Sequence, residues 1–378
     1  MSVPETNKAK SVVFIQLTGG NDALNTVIPY TDQNYFDHRP SVAMDPDKVL
    51  KLDQNLALNP NMVGIKSLWD QGKVAIINGI GYPNPIRSHF RSMDIWHTAE
   101  PEKVLNEGWL GKASRAIDPK GENALTSINF GRGLPRALSA PGVPVASVGD
   151  LSTYGLFPNI NDEHDRASAL NLFSQMYGGS GADMVREFIR QTGVGAYQGA
   201  DILKTAPENY QSNIEYADSP MANNLKDAAQ VMFSDFGTRI FYTQRGSFDT
   251  HSGEVTTHSK LIREVSDAVY DFQSDLDEHE YGGSNLTVIF TEFGRRIKDN
   301  GSGTDHGSGG VAFVIGDSVN GGLYGEFPSL APKDQVEGDM KFNNDFRSTY
   351  STILDDWLDL DAPEIVNGNF EKMDFLRS

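Results

Sequence analysis

A run of six residues, VVFIQL at positions 12–17, is the strongest indication of the fold. Its mostly apolar composition and its length are typical of a β-strand that is buried on both faces, which is the pattern of a parallel sheet. The run stops at the polar turn TGGND at positions 18–22. We therefore expect a buried strand whose carboxyl end leads directly into a glycine-rich loop.

Three further runs share this pattern and extend the predicted sheet. They are VAIINGIG at 74–81, LTVIF at 286–290 and VAFVI at 311–315, with weaker strand candidates at 126–130, 143–148 and 239–244. An amphipathic helical pattern from Leu261 to Leu276 lies directly before the 286–290 run. Strand, helix and strand in this order predict an α/β fold, with a mainly parallel sheet and helices on its faces.

The length of 378 residues fits one large α/β domain that spans residues 1–378. Residues 160–235 differ from the rest, because they are polar and mostly helical in pattern and contain the glycine-rich segment GGSG at 178–181. We interpret them as a helical insertion over the sheet. Its last helix is predicted at residues 221–236.

Composition excludes several classes of protein. The 32 Lys and Arg residues against 51 Asp and Glu residues give a net charge of −19, which repels nucleic-acid phosphates, so we expect no nucleic-acid partner. Cysteine is absent, so any metal must be bound by oxygen and imidazole. No stretch approaches the ~18 apolar residues that span a bilayer, and residues 1–10 carry no apolar signal core, so no membrane span is expected.

Polar residues follow the predicted strands at the edge where open α/β sheets bind ligands. They are Asp22 after the first strand, Ser88 and His89 after the second, Asp249 and His251 after the 239–244 candidate, Glu292 after the 286–290 strand, and Asp305 and His306 before the 311–315 strand. Glycines flank nearly all of these positions. Because glycine lets backbones approach closely, these loops are predicted to hold side chains in fixed directions.

The carboxylates and imidazoles of this set indicate a metal site. Gathering several negative groups in one cleft is costly unless cations neutralise them. Mixed carboxylate and imidazole ligands suit zinc, manganese or iron better than calcium alone, and we expect one or two divalent ions of these four kinds. For any single aspartate, the simpler explanation is a helix cap or a turn.

Ser88 begins a helix-like stretch, and its position allows two interpretations. It is either an ordinary helix N-cap or a hydroxyl that is ionised at a helix N-terminus beside a metal and attacks phosphorus. Neither a phosphate-binding GxxxxGK[ST] loop nor a GxSxG elbow occurs, which argues against a nucleotide triphosphatase of that type and against an α/β-hydrolase esterase.

Taken in order, these segments resemble the bacterial family called domain of unknown function 1501, whose members are often exported. The resemblance rests on GGNDALNT at 19–26, RSHF at 87–90, FDTH at 248–251, EFGR at 292–295, GTDHG at 303–307, GGLYG at 321–325 and DFRS at 345–348. It covers nearly the whole chain. The family looks like a relative of the alkaline phosphatase and sulfatase superfamily, which implies a three-layer sandwich with metal ions at the carboxyl edge of the sheet.

The resemblance implies a role for each residue of the set. Asp22 is the early aspartate ligand, Ser88 the nucleophile, Asp249 and His251 the ligands of one ion, Glu292 and Asp305 those of the other, His306 the late histidine, and Asn25, His89 and Arg295 the contacts of the oxyanion. Two departures stand out. Glu292 with Phe293 stands where relatives usually carry Asp-His, and the Asp249 to His251 spacing is short, so one ion is expected to be weak or missing.

The implied protein is an exported, periplasmic or otherwise secreted, metal-dependent hydrolase of phosphate or sulfate esters. Ser88 or a metal-activated water would attack a small-molecule or glycan ester by in-line displacement. The motif of the formylglycine sulfatases is absent from residues 88–91, which disfavours that class. The alternative is a non-catalytic, metal-containing exported protein that binds an anionic glycan or a protein partner.

Overall fold

The computed structural model describes residues 8–151 and 202–377, together with a few isolated positions between them. Its strands are β1 (Ser11–Leu17), β2 (Val27–Ile28), β3 (Leu50–Lys51), β4 (Ala57–Leu58), β5 (Val74–Gly81), β6 (Ser127–Phe130), β7 (Ala146–Val148), β8 (Ile240–Arg245), β9 (Asn285–Phe290), β10 (Arg295–Asp299), β11 (Thr304–His306), β12 (Gly310–Ile315), β13 (Gly322–Tyr324) and β14 (Asn344–Asp345). Its helices are α1 (Gln33–His38), α2 (Val63–Asp70), α3 (His89–Thr98), α4 (Trp109–Ile117), α5 (Ala206–Asn209), α6 (Pro220–Phe233), α7 (Glu254–Glu278), α8 (Phe346–Thr352) and α9 (Ala362–Val366).

A nine-stranded sheet forms the centre of the fold, in the order β13-β5-β12-β9-β1-β8-β6-β7, with β14 pairing the end of β5. All of its pairings are parallel except those of β12, which runs antiparallel to β5 and β9. Because β12 is reversed, its first residue lies at the edge where its neighbours end. The loop before β12 therefore meets the loops that follow β1, β5, β8 and β9.

The two faces of the sheet bury two separate hydrophobic cores. Along β1, Val13 and Ile15 face one core, whereas Val12 and Phe14 face the other. The first core is completed by α2, α6 and α7, and the second by α3, α4, α8 and α9. This alternation follows from the two-residue period of a strand. It confirms the predicted three-layer α/β architecture with a mainly parallel sheet.

The predicted strands and helices agree with the structure where it describes them. The four strong apolar runs coincide with β1, β5, β9 and β12, the weaker candidates with β6, β7 and β8, and the predicted helices with α6 and α7. The short strands β2 to β4, the hairpin of β10 and β11, and the edge strands β13 and β14 were not predicted. About half of the insertion predicted at 160–235 lies outside the described residues, so the path of that half stays a prediction.

None of the helices in the described ranges combines the length and the apolar character that crossing a bilayer requires.

Packing of α2 on α7 gives a test of the fold away from the site. A Cβ atom on Gly64 would lie 2.5 Å from the carbonyl oxygen of Ser266 and 2.7 Å from the Cβ of Tyr270. Helix propensity favours alanine over glycine by about 1 kcal/mol, but overpacking costs about 1–3 kcal/mol. Because the added Cβ would meet backbone, overpacking should lie in the upper part of this range, and we expect Gly64→Ala to lower the free energy of unfolding by about 1–2 kcal/mol in urea titrations.

The control is Val63→Ala, on the exposed face of the same helix. It should change stability by no more than about 0.5 kcal/mol. Equal stability of Gly64→Ala and wild type would contradict the close approach of these two helices.

Candidate metal centre

Four side chains gather at the carboxyl edge of the sheet: His89, Asp249, His251 and His306. His89 begins α3, Asp249 and His251 lie in the loop after β8, and His306 ends β11 just before β12. Gly19 makes room for this arrangement, because its φ of +120° suits glycine and a Cβ there would lie 2.4 Å from the backbone nitrogen of Asp249. The loops after β1 and β8 therefore touch backbone to backbone.

Three ligand-type atoms form a tight triangle at the centre of this group. The Asp249 Oδ1 atom lies 3.0 Å from His306 Nε2 and 3.1 Å from His251 Nε2, and the two nitrogens are 3.0 Å apart. On the other side, His89 Nε2 lies 3.4 Å from Asp249 Oδ2. One ligand atom each from His89, Asp249 and His306 lies within 4.8 Å of the other two, a spacing suited to a metal ion. Asp249 and His306 thus stand between two further imidazoles.

Each of the three imidazoles is fixed through its other nitrogen. The Nδ1 atoms of His89, His251 and His306 lie 2.8 Å from Glu292 Oε1, 3.1 Å from Asp305 Oδ1 and 2.9 Å from the carbonyl oxygen of Arg87, respectively. Carboxylate and carbonyl oxygens accept hydrogen bonds, so each Nδ1 carries a proton. In a neutral ring the Nε2 atom then turns its lone pair toward Asp249. This is the arrangement that metal-binding histidines adopt in proteins.

Arg295 holds the carboxylate at the centre. Its buried guanidinium donates to Asp249 Oδ1 over 2.6 Å and to the carbonyl oxygens of Gly19, Gly20, Phe248 and Thr304. Partial burial raises the pKa of Asp249, but the hydrogen bond and the positive charge of Arg295 act against it, and the pKa lies at about 2. The central carboxylate is therefore ionised near neutral pH. Arg295 was predicted to contact an oxyanion, but all of its described contacts are internal.

Asp22 and Asn25 are buried and do not belong to the group of four. Both oxygens of the buried Asp22 carboxylate accept hydrogen bonds from Arg39, over 2.5 and 3.0 Å. Asn25 is also buried, with its amide donating to the carbonyl oxygen of Val42 and accepting from the hydroxyl of Tyr35. The predicted ligand Asp22 and the predicted oxyanion contact Asn25 are thus satisfied within the protein.

Glu292 and Asp305, both predicted as ligands, contact histidines of the centre from outside. His89, predicted to bind the oxyanion, supplies one of the three Nε2 atoms instead. Ser88 is exposed at the N-cap of α3, and its hydroxyl makes no capping hydrogen bond. Of the residues on either side of it, His89 belongs to the group of four, and Arg87 contacts His306 of that group through its carbonyl oxygen.

A buried acid pair beside the centre escaped the sequence analysis. Glu254, at the start of α7, shares a hydrogen bond with Asp22, and the pair lies against Arg39. Burial and the charge of Asp22 raise the pKa of Glu254 to about 8, whereas Arg39 and Glu254 hold the pKa of Asp22 at about 2 despite its burial. Arg39 stands in no recognisable motif. The one available signal for Glu254 was its place three residues after His251.

Over residues 78–354, the chain matches the family model described as "Protein of unknown function (DUF1501)". The chain belongs to this family. The predicted family resemblance is thereby confirmed. No curated protein matches the DUF1501 sequence.

Several solved structures share a broad similarity of fold with this DUF1501 chain. The lipoteichoic acid synthase LtaP from Listeria monocytogenes is 8% identical, with 89% of this chain and 74% of that chain covered and a TM-score of 0.37. The C-terminal periplasmic domain of EptC from Escherichia coli, in complex with zinc, is 10% identical, with coverages of 82% and 74% and a TM-score of 0.38. A sulfatase from Pseudoalteromonas sp. is 10% identical, with coverages of 97% and 71% and a TM-score of 0.39.

The raised pKa of Glu254 predicts a pH dependence of stability. In the unfolded chain a glutamate loses its proton near pH 4.5, whereas folded Glu254 keeps it to about pH 8. The folded state binds more protons between these values, so its stability falls as pH rises through this window. We expect wild type to lose stability relative to Glu254→Gln by up to about 1.4 kcal/mol per pH unit, the limit for one proton.

Urea unfolding of both proteins at intervals from pH 5 to pH 9 measures this difference. Glutamine mimics the protonated acid, so other titrating groups cancel in the comparison. Parallel stability profiles for the two proteins would contradict a proton shared between Glu254 and Asp22.

Proposed function

We propose that this DUF1501 chain is a metal-dependent hydrolase of phosphate or sulfate esters. Asp249 and His306 hold the divalent ion together with the flanking imidazoles of His89 and His251. The observation that carries the proposal is the convergence of three Nε2 atoms on the carboxylate of Asp249. Zinc, manganese or iron is the expected ion, because the donor set mixes imidazole with carboxylate.

The close spacing of these atoms supports a cation at the centre. With Nδ1 protonated on both imidazoles, the two Nε2 atoms and Asp249 Oδ1 are all electron-pair donors, and at 3.0–3.1 Å they repel one another unless a cation lies between them. Zinc bound to nitrogen at about 2.0–2.1 Å holds tetrahedral ligands about 3.3 Å apart. The observed triangle therefore needs only a small expansion to accept such an ion. The competing explanation for the close spacing is a proton that these atoms share.

Ser88 is the proposed nucleophile, and water is the alternative. A bound divalent ion would supply Lewis acidity for both the attacking and the leaving oxygen. The serine hydroxyl loses its proton, and its oxygen bonds to phosphorus or sulfur. The bond from phosphorus or sulfur to the ester oxygen breaks, and that oxygen takes up a proton as the alcohol leaves. Water then cleaves the seryl ester, which releases phosphate or sulfate and restores the serine. Phe90, whose side chain is 85% exposed beside His89, offers an apolar face to the leaving group.

A second function is favoured by the number of available ligands. If all of His89, His251, His306 and Asp249 bind zinc, the tetrahedron is complete, and complete sites are typical of structural zinc. The chain would then be a non-catalytic, metal-containing protein that binds an anionic glycan or a protein partner. Turnover at full metal occupancy separates the two functions.

Metal content is the first test of the centre. We expect purified wild type to bind about one zinc or manganese ion per chain, and His306→Ala to bind it at least about 100-fold more weakly, because two of the short contacts involve His306 Nε2. The measurements are elemental analysis after desalting without chelator, and titration of the ion against a chromophoric chelator. His38→Ala, on α1 and outside the group of four, is the control and should bind as wild type does. An absence of binding by wild type would show that a proton holds the group together.

Turnover is tested on phosphate and sulfate esters with small aryl and sugar leaving groups. If Ser88 is the nucleophile, Ser88→Ala should lose turnover by a factor of about 10³ or more while its metal content and unfolding midpoint stay those of wild type. Retained turnover in this variant would assign the attack to water. A metal-loaded wild type that cleaves none of these esters would overturn the hydrolase and leave the binding protein.

A further inference from the structure

Glu292 is the most thoroughly enclosed carboxylate at the centre. Its side chain is fully buried at the end of β9. Oε1 accepts hydrogen bonds from the backbone nitrogen of Gly19 and from His89 Nδ1, both over 2.8 Å. Oε2 lies 3.1 Å from the hydroxyl of Thr291. Both oxygens thus have protein partners, and an ion could bind Glu292 directly only by displacing one of them.

His89 is left with one unsatisfied atom by this arrangement. Its Nδ1 lies within hydrogen-bond distance of Glu292 Oε1, so the proton of the neutral ring is at Nδ1 and the lone pair is at Nε2; that Nε2 atom is buried without a hydrogen-bond partner. A buried polar atom without a partner costs about 1–3 kcal/mol. The same atom lies 3.4 Å from Asp249 Oδ2, on the side of the centre opposite His251. A cation beside Asp249 would give this lone pair its missing partner.

The path of the chain keeps Glu292 and His89 together. The backbone oxygen of Glu292 accepts a hydrogen bond from the hydroxyl of Ser92, one turn along α3 from His89, over 2.5 Å. The hydroxyl of Tyr82 in turn donates to the Ser92 hydroxyl over 2.8 Å. The end of β9 is therefore joined to the first turn of α3 at two points. Groups at the end of the sheet, and not solvent, therefore set the orientation of the His89 ring.

We infer that Glu292 is a positioning residue, which fixes the Nδ1-protonated tautomer and the direction of His89 so that His89 Nε2 is a ligand of the ion. This inference rests on the proposed metal site. It assigns Glu292 a role behind a metal ligand, without direct contact with the ion. The buried negative charge also makes the imidazole a stronger donor, which is the general effect of a carboxylate behind a metal-binding histidine.

The test is a cycle of three variants: Glu292→Gln, His89→Ala and the double variant. Glutamine keeps the size of the side chain and an Oε1 acceptor for Gly19 and His89, and its amide group faces the hydroxyl of Thr291, which accepts. We expect Glu292→Gln to weaken zinc binding by about 10–100-fold. In the His89→Ala background the same change should alter zinc affinity by less than about 2-fold, because Glu292 acts through His89. An equal loss in both backgrounds would overturn the inference, since Glu292 would then act on the ion directly.

Two spectroscopic readouts separate positioning from general damage. Cobalt(II) substituted into wild type and Glu292→Gln should show different visible absorption bands, whereas Glu292→Gln in the His89→Ala background should leave the bands unchanged. Nitrogen-15 correlation spectra of the metal-free protein, recorded where the His89 ring is neutral, should show its single proton at Nδ1. A neutral His89 with its proton at Nε2 would overturn the inference even if the protein binds metal. A wild type with the Nδ1 tautomer and no affinity for zinc or cobalt would overturn the proposed function and, with it, the role of Glu292 toward an ion.

Discussion

The buried guanidinium of Arg295 is the interaction on which the site depends. Its hydrogen bonds join the loop after β1, the loop after β8 and the start of β11 to a single planar group. The backbone carbonyls of these loops would otherwise be buried without partners, which is costly. The same guanidinium neutralises Asp249 over 2.6 Å. Removing this one charge would leave an unpaired carboxylate and open carbonyls at the point where the strands meet.

Each carboxylate at this edge of the sheet is compensated in a different way. Asp22 is paired with Arg39, Glu254 keeps a proton, Glu292 receives hydrogen bonds from Gly19 and His89, and Asp249 faces Arg295 and the imidazoles. Internal partners thus satisfy Asp22 and Glu292, which the sequence analysis placed among the ligands. In the residues that the structure describes, one group of His and Asp side chains has the spacing of a metal site. Under the proposed function, this distribution of charge provides for one ion rather than the pair that the family resemblance allows.

The sequence reveals the sheet and the edge that carries the site, but not the role of each residue there. Apolar runs of strand length suffice to predict β1, β5, β9 and β12, because burial on both faces leaves little freedom in composition. The polar residues directly after those runs identify the edge of the sheet that carries the site, because a buried strand ends where polar residues begin. Whether a carboxylate there meets a metal, a guanidinium or another acid depends on contacts across hundreds of residues, such as Arg39 with Ile297 or Gly19 with Glu292. No local pattern encodes those partners, so Arg39 and Glu254 were missed.

The two sides of the centre differ in a way that bears on how a substrate would approach. On one side, His89 is backed by the fully buried Glu292 and packs against the rings of Phe293 and His306. On the other side, the side chains of His251 and Asp305 are 45% and 57% exposed. A rigid, enclosed ligand keeps an ion in place, whereas an exposed one exchanges more readily with an incoming oxygen. In the proposed hydrolase, the exposed His251 side is therefore the face from which an ester oxygen would reach the ion, and the enclosed His89 side would keep the ion in place.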